Sequence, residues 1–408
     1  MKRFHTYIAL ILLSSCLTPA FGQTECPEYT FVKIADTTTP VPGGNGGTFE
    51  GLSLSEPAVN GLRVAFYGEG GGAEGIFVGD GKTLNSVVAV GDPLTGGGTI
   101  DAIAKDFAFS GGVFNTIINK PSSGNHGIYT TDAGGLSKTV GFGQPAPGGG
   151  VFSTIAHVSR QGNNMAYDAN ISFGPGVNGI FTRIGGVNEL VADTTTEIPG
   201  SEPIVFTGGS FSDPDISGRN VAFRAGASAL IGVYARIDGT LVKVADRNDT
   251  QPGSVKPFST FTVPVISGRQ VAFRGVGDFQ GIYVGDGGPL TVIAQTFDPA
   301  PGGSTFNGFA QNVSTDGGEV AFSGAGSGFI GLFVSDPSRL CRVIDTNDTL
   351  EGKDVTQVFM GRDSYSVGML SFRAVFSDGS RGIYLAKAPQ SAPAGALPTG
   401  PLIILLDE

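Results

Sequence analysis

The amino-acid sequence predicts an all-β protein that folds as one seven-bladed β-propeller of four-stranded blades. Three observations lead to this fold: a short motif that recurs seven times, strand-like segments within each repeat, and longer links between repeats. The chain has 408 residues, including 66 glycines and 24 prolines, and 40% of its residues are hydrophobic. Because a chain this apolar can bury a core, its glycines and prolines are expected in the turns of a folded protein.

The recurring motif is a glycine followed by an aliphatic residue and then by Phe or Tyr. It occurs at Gly75-Ile76-Phe77, Gly127-Ile128-Tyr129, Gly179-Ile180-Phe181, Gly232-Val233-Tyr234, Gly281-Ile282-Tyr283, Gly331-Leu332-Phe333 and Gly382-Ile383-Tyr384. Successive glycines are 52, 52, 53, 49, 50 and 51 residues apart. A second motif, a small residue before Phe, precedes it at Ala65-Phe66, Ala222-Phe223, Ala272-Phe273, Ala321-Phe322 and Ser371-Phe372. This spacing identifies a structural repeat.

Within each repeat the segments have the character of strands. They are short, rich in β-branched and aromatic residues, and bounded by glycine. Asp80-Gly81, Asp238-Gly239 and Asp286-Gly287 suit tight hairpins, because such pairs accept positive φ angles. Longer Pro/Gly links, such as residues 145–149, separate the repeats. Four strands per repeat in radial array are typical of a β-propeller, whereas the alternative, a linear β-solenoid, usually has shorter rungs.

The longer links also determine how the ring closes. If each link connects one blade to the next, the segment from Thr30 to Ala35 is the outer strand of the last blade. The other strands of that blade then come from Val355 to Ala386. This arrangement removes an exposed sheet edge, which would otherwise favour aggregation. The sequence therefore predicts seven complete blades within residues 23–388, with the ring closed by the N-terminal strand.

The first 22 residues have the pattern of a signal peptide. Lys2 and Arg3 form the charged start, Tyr7 to Leu13 the apolar run, and Ala20-Phe21-Gly22 a small-x-small cleavage site. An alternative is lipidation at Cys16, because residues 13–16 resemble a lipobox. We expect the protein to be extracellular, on the cell surface or periplasmic.

The net charge argues against a nucleic-acid partner, and the hydropathy of the tail argues against a membrane span. The net charge is −11, whereas a protein that binds nucleic acid needs a basic surface to displace counterions. Residues 389–408 form an Ala/Pro-rich linker with a short apolar tail, Leu402 to Leu406, which is too short to span a bilayer. The expected partner is an extracellular ligand, either a protein or a glycan.

The second motif carries a resemblance to a known kind of protein. With the glycine that precedes it, it reads Gly-x-x-x-Ala-Phe, which resembles bacterial exported tandem-repeat proteins with the repeat Asn-x-x-Gly-x-x-x-Ala-Phe. The leading Asn is absent here, where Ala58, Asp215, Val265 and Ser314 stand in its place. The resemblance covers residues 29–388 and implies an exported, β-propeller-like repeat protein. It supplies no functional residues.

The cysteines predict a disulfide. Once Cys16 leaves with the signal, Cys26 and Cys341 remain as one pair in an oxidising compartment, although two free thiols are the alternative. Outside the signal there are two histidines, His126 and His157, and neither lies beside an evident nucleophile. The sequence therefore predicts no catalytic residues and no cofactor-binding residues, although Asp168 and Asp278 could still converge in space.

Acidic and basic residues recur at repeat positions. Two links contain the pattern Asp-x-Asn-Asp, at Asp246, Asn248 and Asp249 and at Asp345, Asn347 and Asp348. Their oxygens are of the kind that calcium binds, but the same residues also end strands by hydrogen-bonding their own backbone. Calcium is thus the only cofactor the sequence raises. Three arginines follow the second motif and could attract an anion or pair with neighbouring side chains: Arg224, Arg274 and Arg373.

Taken together, the residues favour a non-catalytic binding or structural scaffold on which variable links carry specificity. The alternative is a glycan-active propeller hydrolase or lyase that uses acidic residues near the central channel. An enzyme would require a convergent acid/base pair on one face, which no repeat displays in its sequence.

Overall fold

A computed structural model describes residues 25–50, 54–95, 98–118, 127–132, 135–336 and 338–389. The predicted signal peptide, Cys16, His126 and the predicted tail beyond Pro389 lie outside these residues. The described chain forms seven antiparallel sheets, and its only described helical segment is a 3-10 turn at Ser228–Leu230. Among the described residues, no helix has the length and apolarity needed to cross a membrane.

Each sheet is one blade, and the strands follow one another from the channel outward. The first strand, β1 (Thr30–Asp36), belongs to the last blade. Blades I to III contain β2 (Ala58–Asn60), β3 (Arg63–Gly70), β4 (Ala73–Gly79), β5 (Leu84–Ala89); β6 (Ile103–Ser110), β7 (Val113–Ile118), β8 (Gly127–Asp132), β9 (Gly135–Gly141); and β10 (Val151–Gln161), β11 (Asn164–Ser172), β12 (Asn178–Ile184), β13 (Val187–Asp193). Blades IV and V contain β14 (Ser212–Ser217), β15 (Asn220–Ala225), β16 (Gly232–Ile237), β17 (Thr240–Asp246); and β18 (Thr260–Phe261), β19 (Val265–Ser267), β20 (Gln270–Val276), β21 (Gln280–Gly285), β22 (Thr291–Gln295). Blades VI and VII contain β23 (Phe306–Asp316), β24 (Glu319–Gly326), β25 (Phe329–Asp336), β26 (Arg339–Asp345); and β27 (Thr349–Leu350), β28 (Lys353–Phe359), β29 (Tyr365–Ser366), β30 (Met369–Phe376), β31 (Arg381–Lys387).

The N-terminal strand closes the ring, as the link pattern predicts. β1 pairs antiparallel with β31, from Thr30 opposite Lys387 to Asp36 opposite Gly382. The innermost strands of neighbouring blades contact each other around the whole ring, including β29 of blade VII with β2 of blade I. The seven-bladed propeller is therefore confirmed, and the linear solenoid is wrong.

Aromatic side chains from both motifs form the core. In blade VI, Phe322 of the second motif stacks on Phe333 of the first, and Phe306 contacts Phe333 edge-on at 5.1 Å. Blades I, III, IV and V repeat this trio with Phe49, Phe152, Phe206 and Phe258 in the place of Phe306. Seven buried clusters result, each between two neighbouring blades. The period of the sequence is thus the period of interblade packing.

The glycine of the first motif is explained by a β-bulge. In blade I the register between β4 and β5 shifts between Ile76 and Phe77, which brings the backbone of β5 over Gly75. A Cβ at Gly75 would collide with the carbonyl oxygen of Val88, and the same clash arises at Gly127 and Gly232 with the carbonyls opposite them. A side chain is excluded at this position because the outer strand passes too close.

Side chains also join each blade to the next. In each blade a turn joins the first strand to the second. The side chain of the residue just before this turn accepts a hydrogen bond from the backbone N–H of the first residue of the corresponding turn in the next blade. This bond occurs at six junctions: Asn60 with Gly111, Ser110 with Gly162, Gln161 with Gly218, Ser217 with Gly268, Ser267 with Gly317, and Asp316 with Val367. We refer to these bonds as the turn girdle.

The antiparallel strand order gives the propeller two different faces. The hairpins that join first to second and third to fourth strands lie on one face, the turn face, together with the turn girdle. The loops between second and third strands and the links between blades lie on the other, the loop face. The long, variable segments of the sequence therefore gather on the loop face.

The predicted disulfide is present between Cys26 and Cys341, whose Cα atoms are 5.5 Å apart. Cys341 lies on β26 of blade VI, and Cys26 precedes β1 of blade VII. The bond therefore anchors the strand that closes the ring to the neighbouring blade.

Removing this bond should destabilise the ring. We expect Cys341→Ser to lower the free energy of unfolding by about 2–5 kcal/mol, because a loop of this length loses much of its entropy when it is closed. Chemical unfolding of the variant and of wild-type protein, oxidised and reduced, measures the difference. Reduced wild type should match the variant. Equal stability of the oxidised wild type and the variant would contradict the role of the bond.

Candidate functional site

The central channel is lined by residues of all seven blades and contains an open pocket of about 110 Å³. Arg362 crosses the channel. It lies between β28 and β29 of blade VII, and its Nη2 donates to the carbonyl oxygen of Pro214 in blade IV at 2.7 Å. The same nitrogen is 4.0 Å from Asp215 Oδ1. A side chain from one blade thus contacts a blade that is not its neighbour.

Asp215 joins four blades. It accepts hydrogen bonds from the Ser159 hydroxyl of blade III at 2.5 Å and from the Ile266 N–H of blade V at 2.7 Å. With Arg362 of blade VII beside it, its carboxylate has partners on three other blades. Asp215 stands three residues before Gly218, the glycine that precedes the second motif in blade IV. A polar side chain at this position therefore holds blades together here.

A histidine lies between two carboxylates beside this crossing. Asp168 Oδ1 accepts the backbone N–H of His157 at 2.8 Å and faces its Nδ1 at 3.0 Å. On the other side of the ring, Nε2 is 3.4 Å from Oδ1 of Asp213 in blade IV. Asp213 has a φ of 54°, a left-handed conformation that is rare for a residue other than glycine. A carboxylate that orients an imidazole is one element of general acid–base sites.

The sequence interpretation of these residues was only partly right. The sequence shows no evident nucleophile beside His157, and it also gives no sign of the two carboxylates that flank this residue on strand β10. Asp168 and Asp278 do not form a pair: Asp168 contacts His157, whereas Asp278 binds Lys256 and Ser254. The sequence contains one indication that blade III differs from the others at this position. Asp168 stands where three other blades have an arginine after the second motif.

The two candidate calcium segments form the same hydrogen-bonded turn. Asp246 Oδ1 accepts the N–H of Asn248, and Asp249 Oδ2 accepts the N–H of Asp246, both at 2.8 Å. Lys243 Nζ is 2.9 Å from the other oxygen of Asp249. The bonds recur in the second segment, between Asp345, Asn347, Asp348 and Arg342. Here the oxygens bind backbone amides and basic side chains.

This turn begins every link. The N–H of the last strand residue donates to a side-chain oxygen three residues later, which belongs to Thr39, Asp92, Gln144, Thr196, Asp249, Asp298 or Asp348. Within the described part of the chain, no group of three or more His, Cys, Asp or Glu residues is arranged to hold a metal ion. Calcium at these turns stays an alternative that the sequence raises.

Asp36, at the first of these turns, has a carboxyl group with a strongly lowered pKa. Burial opposes its ionisation, but the Thr38 hydroxyl and amide and the Lys33 ammonium group outweigh burial and lower the pKa of Asp36 to about 2. Because Asp36 ends β1, its ionised carboxylate stabilises the strand that closes the ring.

The loop face exposes large apolar side chains. Phe173 lies between β11 and β12 and is 98% exposed, and Phe297 lies in the link after blade V and is 71% exposed. Both have left-handed backbones, with φ of 63° and 78°. Val255, in the link after blade IV, is 93% exposed. These residues extend from a rigid scaffold on the face where the links gather.

The fold and its channel define a seven-bladed β-propeller whose last blade takes its outer strand from the N-terminal end. The sequence matches the family described as a family of unknown function (DUF7453) over residues 27–273 and again over residues 220–367. The chain belongs to this family. No curated protein matches the sequence.

Solved structures with a similar fold have low sequence identity. The β-propeller domain of the Trilobed protease from Pyrococcus furiosus is 13% identical, with a TM-score of 0.50 over 82% of this chain and 96% of that one. The polysaccharide lyase Uly1 is 11% identical, with a TM-score of 0.48 over 90% and 100%. An acylaminoacyl peptidase from Pyrococcus horikoshii is 12% identical, with a TM-score of 0.44 over 79% of this chain and 49% of that one. At these identities the likeness concerns the fold alone.

Calcium at the link turns can be tested by chelation. Because the turn oxygens are bonded to amides and cations, we expect EDTA and millimolar calcium to leave the melting temperature unchanged. Differential scanning calorimetry in each condition, with magnesium as the control, measures it. A melting temperature that rises with calcium and falls after chelation would establish calcium binding, and its loss in Asp246→Asn would locate the site.

The stabilisation by Asp36 should depend on pH. A carboxyl whose pKa is lower in the folded than in the unfolded state stabilises the fold above its unfolded pKa of about 4, and this contribution disappears as the pH falls through about 2. We expect Asp36→Asn to lower the free energy of unfolding by about 1–2 kcal/mol at pH 7 and to have little effect near pH 2. Urea unfolding across this range measures it, with the exposed Asp354→Asn as control. A deficit that is the same at both pH values would contradict this explanation.

Proposed function

We propose that this protein is a non-catalytic binding propeller outside the cytoplasm and that its loop face binds an extracellular protein or glycan. The observation that carries the proposal is the pair of exposed phenylalanines, Phe173 and Phe297, on the loop face. Each combines an exposed ring with a left-handed backbone.

Both features are unfavourable for the isolated molecule. A left-handed backbone costs a residue other than glycine about 1–3 kcal/mol, and an exposed ring forgoes about 1.5–3 kcal/mol of burial. Glycine or asparagine at the same positions would relieve the strain and remove the apolar surface. Phenylalanine at such positions is therefore better explained by contact with a partner than by the stability of the fold.

The channel supports a role without catalysis. Two of its charged side chains are bonded to neutral groups of other blades: Arg362 donates to a carbonyl oxygen of blade IV, and Asp215 accepts from a hydroxyl group and an amide. A catalytic acid and base need access to substrate, whereas these groups have the bonding of residues that hold blades together.

An address outside the cytoplasm is supported by covalent chemistry and by sequence. The bond between Cys26 and Cys341 is of the kind that persists in oxidising compartments. Residues 1–22 have the pattern of a signal peptide. Such a peptide is cleaved after Gly22 or, in the alternative, the chain is processed and lipidated at Cys16. The resemblance to exported tandem-repeat proteins agrees with this address, with residues 23–388 as the propeller and residues 389–408 as a linker and tail.

A glycan-active hydrolase or lyase is the second candidate. The observation that favours it is His157, whose imidazole Asp168 orients and whose other nitrogen faces Asp213. His157 is about one-third exposed, so a substrate in the channel mouth could reach it. An enzyme would use this histidine as general base.

The two candidates differ in which residues they require. For binding, we expect the wild-type protein to retain a ligand from a panel of immobilised polysaccharides and secreted proteins, and Phe173→Asn/Phe297→Asn to lose it. The double variant should melt no lower than wild type, because asparagine tolerates a left-handed backbone. Leu62→Asn, which removes a comparably exposed side chain from the turn face, is the matched control and should keep binding.

Turnover assays on polysaccharides and aryl glycosides complete the test. We expect no turnover. Activity that disappears in a folded His157→Gln variant but survives in Phe173→Asn/Phe297→Asn would replace the binding proposal with the enzymatic one. Binding that persists unchanged in the double phenylalanine variant would remove the loop face from the proposal.

A further inference from the structure

The residue after the second motif points toward the next blade. In blade IV, Phe223 packs in the cluster between blades III and IV, and Ala222 packs in the cluster between blades IV and V. Because side chains alternate along a strand, Arg224 lies on the same side as Ala222 and faces blade V. By the same alternation Arg274, which follows Ala272 and Phe273, faces blade VI.

The three arginines at this position differ in their partners. Arg373 of blade VII has a counter-charge, because its Nη2 is 3.0 Å from Glu56 Oε1. Arg274 donates to the amide oxygen of Gln280 at 2.9 Å and has no carboxylate within 4.0 Å among the residues described. Arg224 forms neither a hydrogen bond through its side chain nor an ion pair with any part of the chain that the structure describes.

A hydroxyl group beside Arg224 is also unsatisfied. Ser212 lies directly opposite Arg224 in the pairing of β14 with β15. Its Oγ is buried and has no hydrogen-bond partner among the described residues, and the same holds for Nε of Arg224. Nε of Arg274 and of Arg373 is also unpaired, but the guanidinium groups of these two arginines have partners through Nη2, whereas that of Arg224 has none among the described residues. Buried polar atoms are almost always hydrogen-bonded in folded proteins. A hydroxyl group and a guanidinium group that lie opposite each other and are both without an acceptor therefore point to a missing acceptor.

The chemistry of these donors identifies the acceptor. A guanidinium group and a hydroxyl group together match an oxyanion, which accepts several charge-assisted hydrogen bonds. Burial lowers the pKa of Arg274, the direction expected of a cation that lacks a counter-charge. Among the described residues no carboxylate lies within 4.0 Å of Arg224 or Arg274, although the chain has 36 acidic and only 25 basic residues.

We propose that the wall between blades IV and V binds an oxyanion, the carboxylate or sulfate group of a ligand, through Arg224 with the hydroxyl of Ser212. Arg274 adds positive charge at the equivalent position of the next blade. The proposal rests on the proposed binding function and names the chemical class of its ligand. The group can belong to a free anion or to an acidic saccharide.

Calorimetric titration with sodium sulfate and sodium glucuronate tests the proposal, with glucose and with sodium chloride at equal ionic strength as controls. We expect the two oxyanions to bind wild-type protein and to raise its melting temperature, and glucose and chloride to do neither. Arg224→Gln should weaken binding about tenfold or more, the change expected when a charge-assisted hydrogen bond is lost. Ser212→Ala, which keeps the charge, should weaken it by a smaller factor.

Arg373→Gln is the matched control. It removes the arginine at the same repeat position that already has a counter-charge, so oxyanion affinity should not change. An absence of sulfate and glucuronate binding by wild type, or equal affinity in wild type and in folded Arg224→Gln, would overturn the proposal. Binding of glucuronate but not of sulfate assigns the site to carboxylates, as in acidic saccharides, and binding of both assigns it to oxyanions in general.

The outcome is separable from that of the proposed function. Phe173→Asn/Phe297→Asn should bind oxyanions as wild type does, because the exposed rings are not part of this wall. If the exposed rings have no partner, oxyanion binding is unaffected. If the oxyanions fail to bind, the binding of a ligand by the loop face still stands.

Discussion

The pairing of β1 with β31 is the contact on which the rest of the structure depends. Six of the seven blades are continuous in sequence, but the seventh is complete only when the N-terminal strand becomes its outer edge. That pairing fixes the position of blade VII relative to blade I. Only in a closed ring can Arg362 cross to Pro214, Arg373 reach Glu56, and Ser364 of blade VII donate to the carbonyl of Pro57. The channel is thus a consequence of closure.

The closed ring also explains how one repeat position can serve different purposes. The position after the second motif faces the next blade in blades IV and V, and the partner of its side chain comes from its own blade or from the next one. Asp168 orients a histidine, Arg373 pairs with Glu56, and Arg224 has no partner in the described chain. The backbone keeps its period, while the chemistry differs from blade to blade. Such a scaffold can hold both structural and ligand-binding groups.

Much of this fold could be predicted because its determinants recur along the chain. Gly75 and its equivalents mark bulges where a Cβ has no room, and Phe66 and Phe77 with their equivalents form the interblade core. Each feature is local, so the period reveals it. The longer links mark where one blade ends and the next begins, and they thereby assign the N-terminal strand to the last blade. Cys26 and Cys341 could be paired because they are the two cysteines that remain outside the predicted signal peptide.

The candidate sites could not be predicted, since their contacts join residues of different repeats that no period connects. Asp215 and Arg362 are 147 positions apart and meet only because the ring places blades IV and VII across one channel. His157 meets Asp213 of the next blade, and Asp213 has a backbone conformation that its residue type does not indicate. The left-handed φ angles of Phe173 and Phe297 are equally invisible in the residue type, because phenylalanine normally avoids that conformation.

Hydrogen exchange along β1 tests the central claim, closure of the ring by the N-terminal strand. The backbone amides of residues 30–36 that bond to β31 should exchange as slowly as those of residues 381–387, since the two strands form one sheet and open together. Peptic fragments that cover each segment, followed by mass spectrometry, give both rates in the same sample. If the fragment containing β1 exchanges as fast as an unstructured peptide while β30 and β31 stay protected, the ring is not closed in this way.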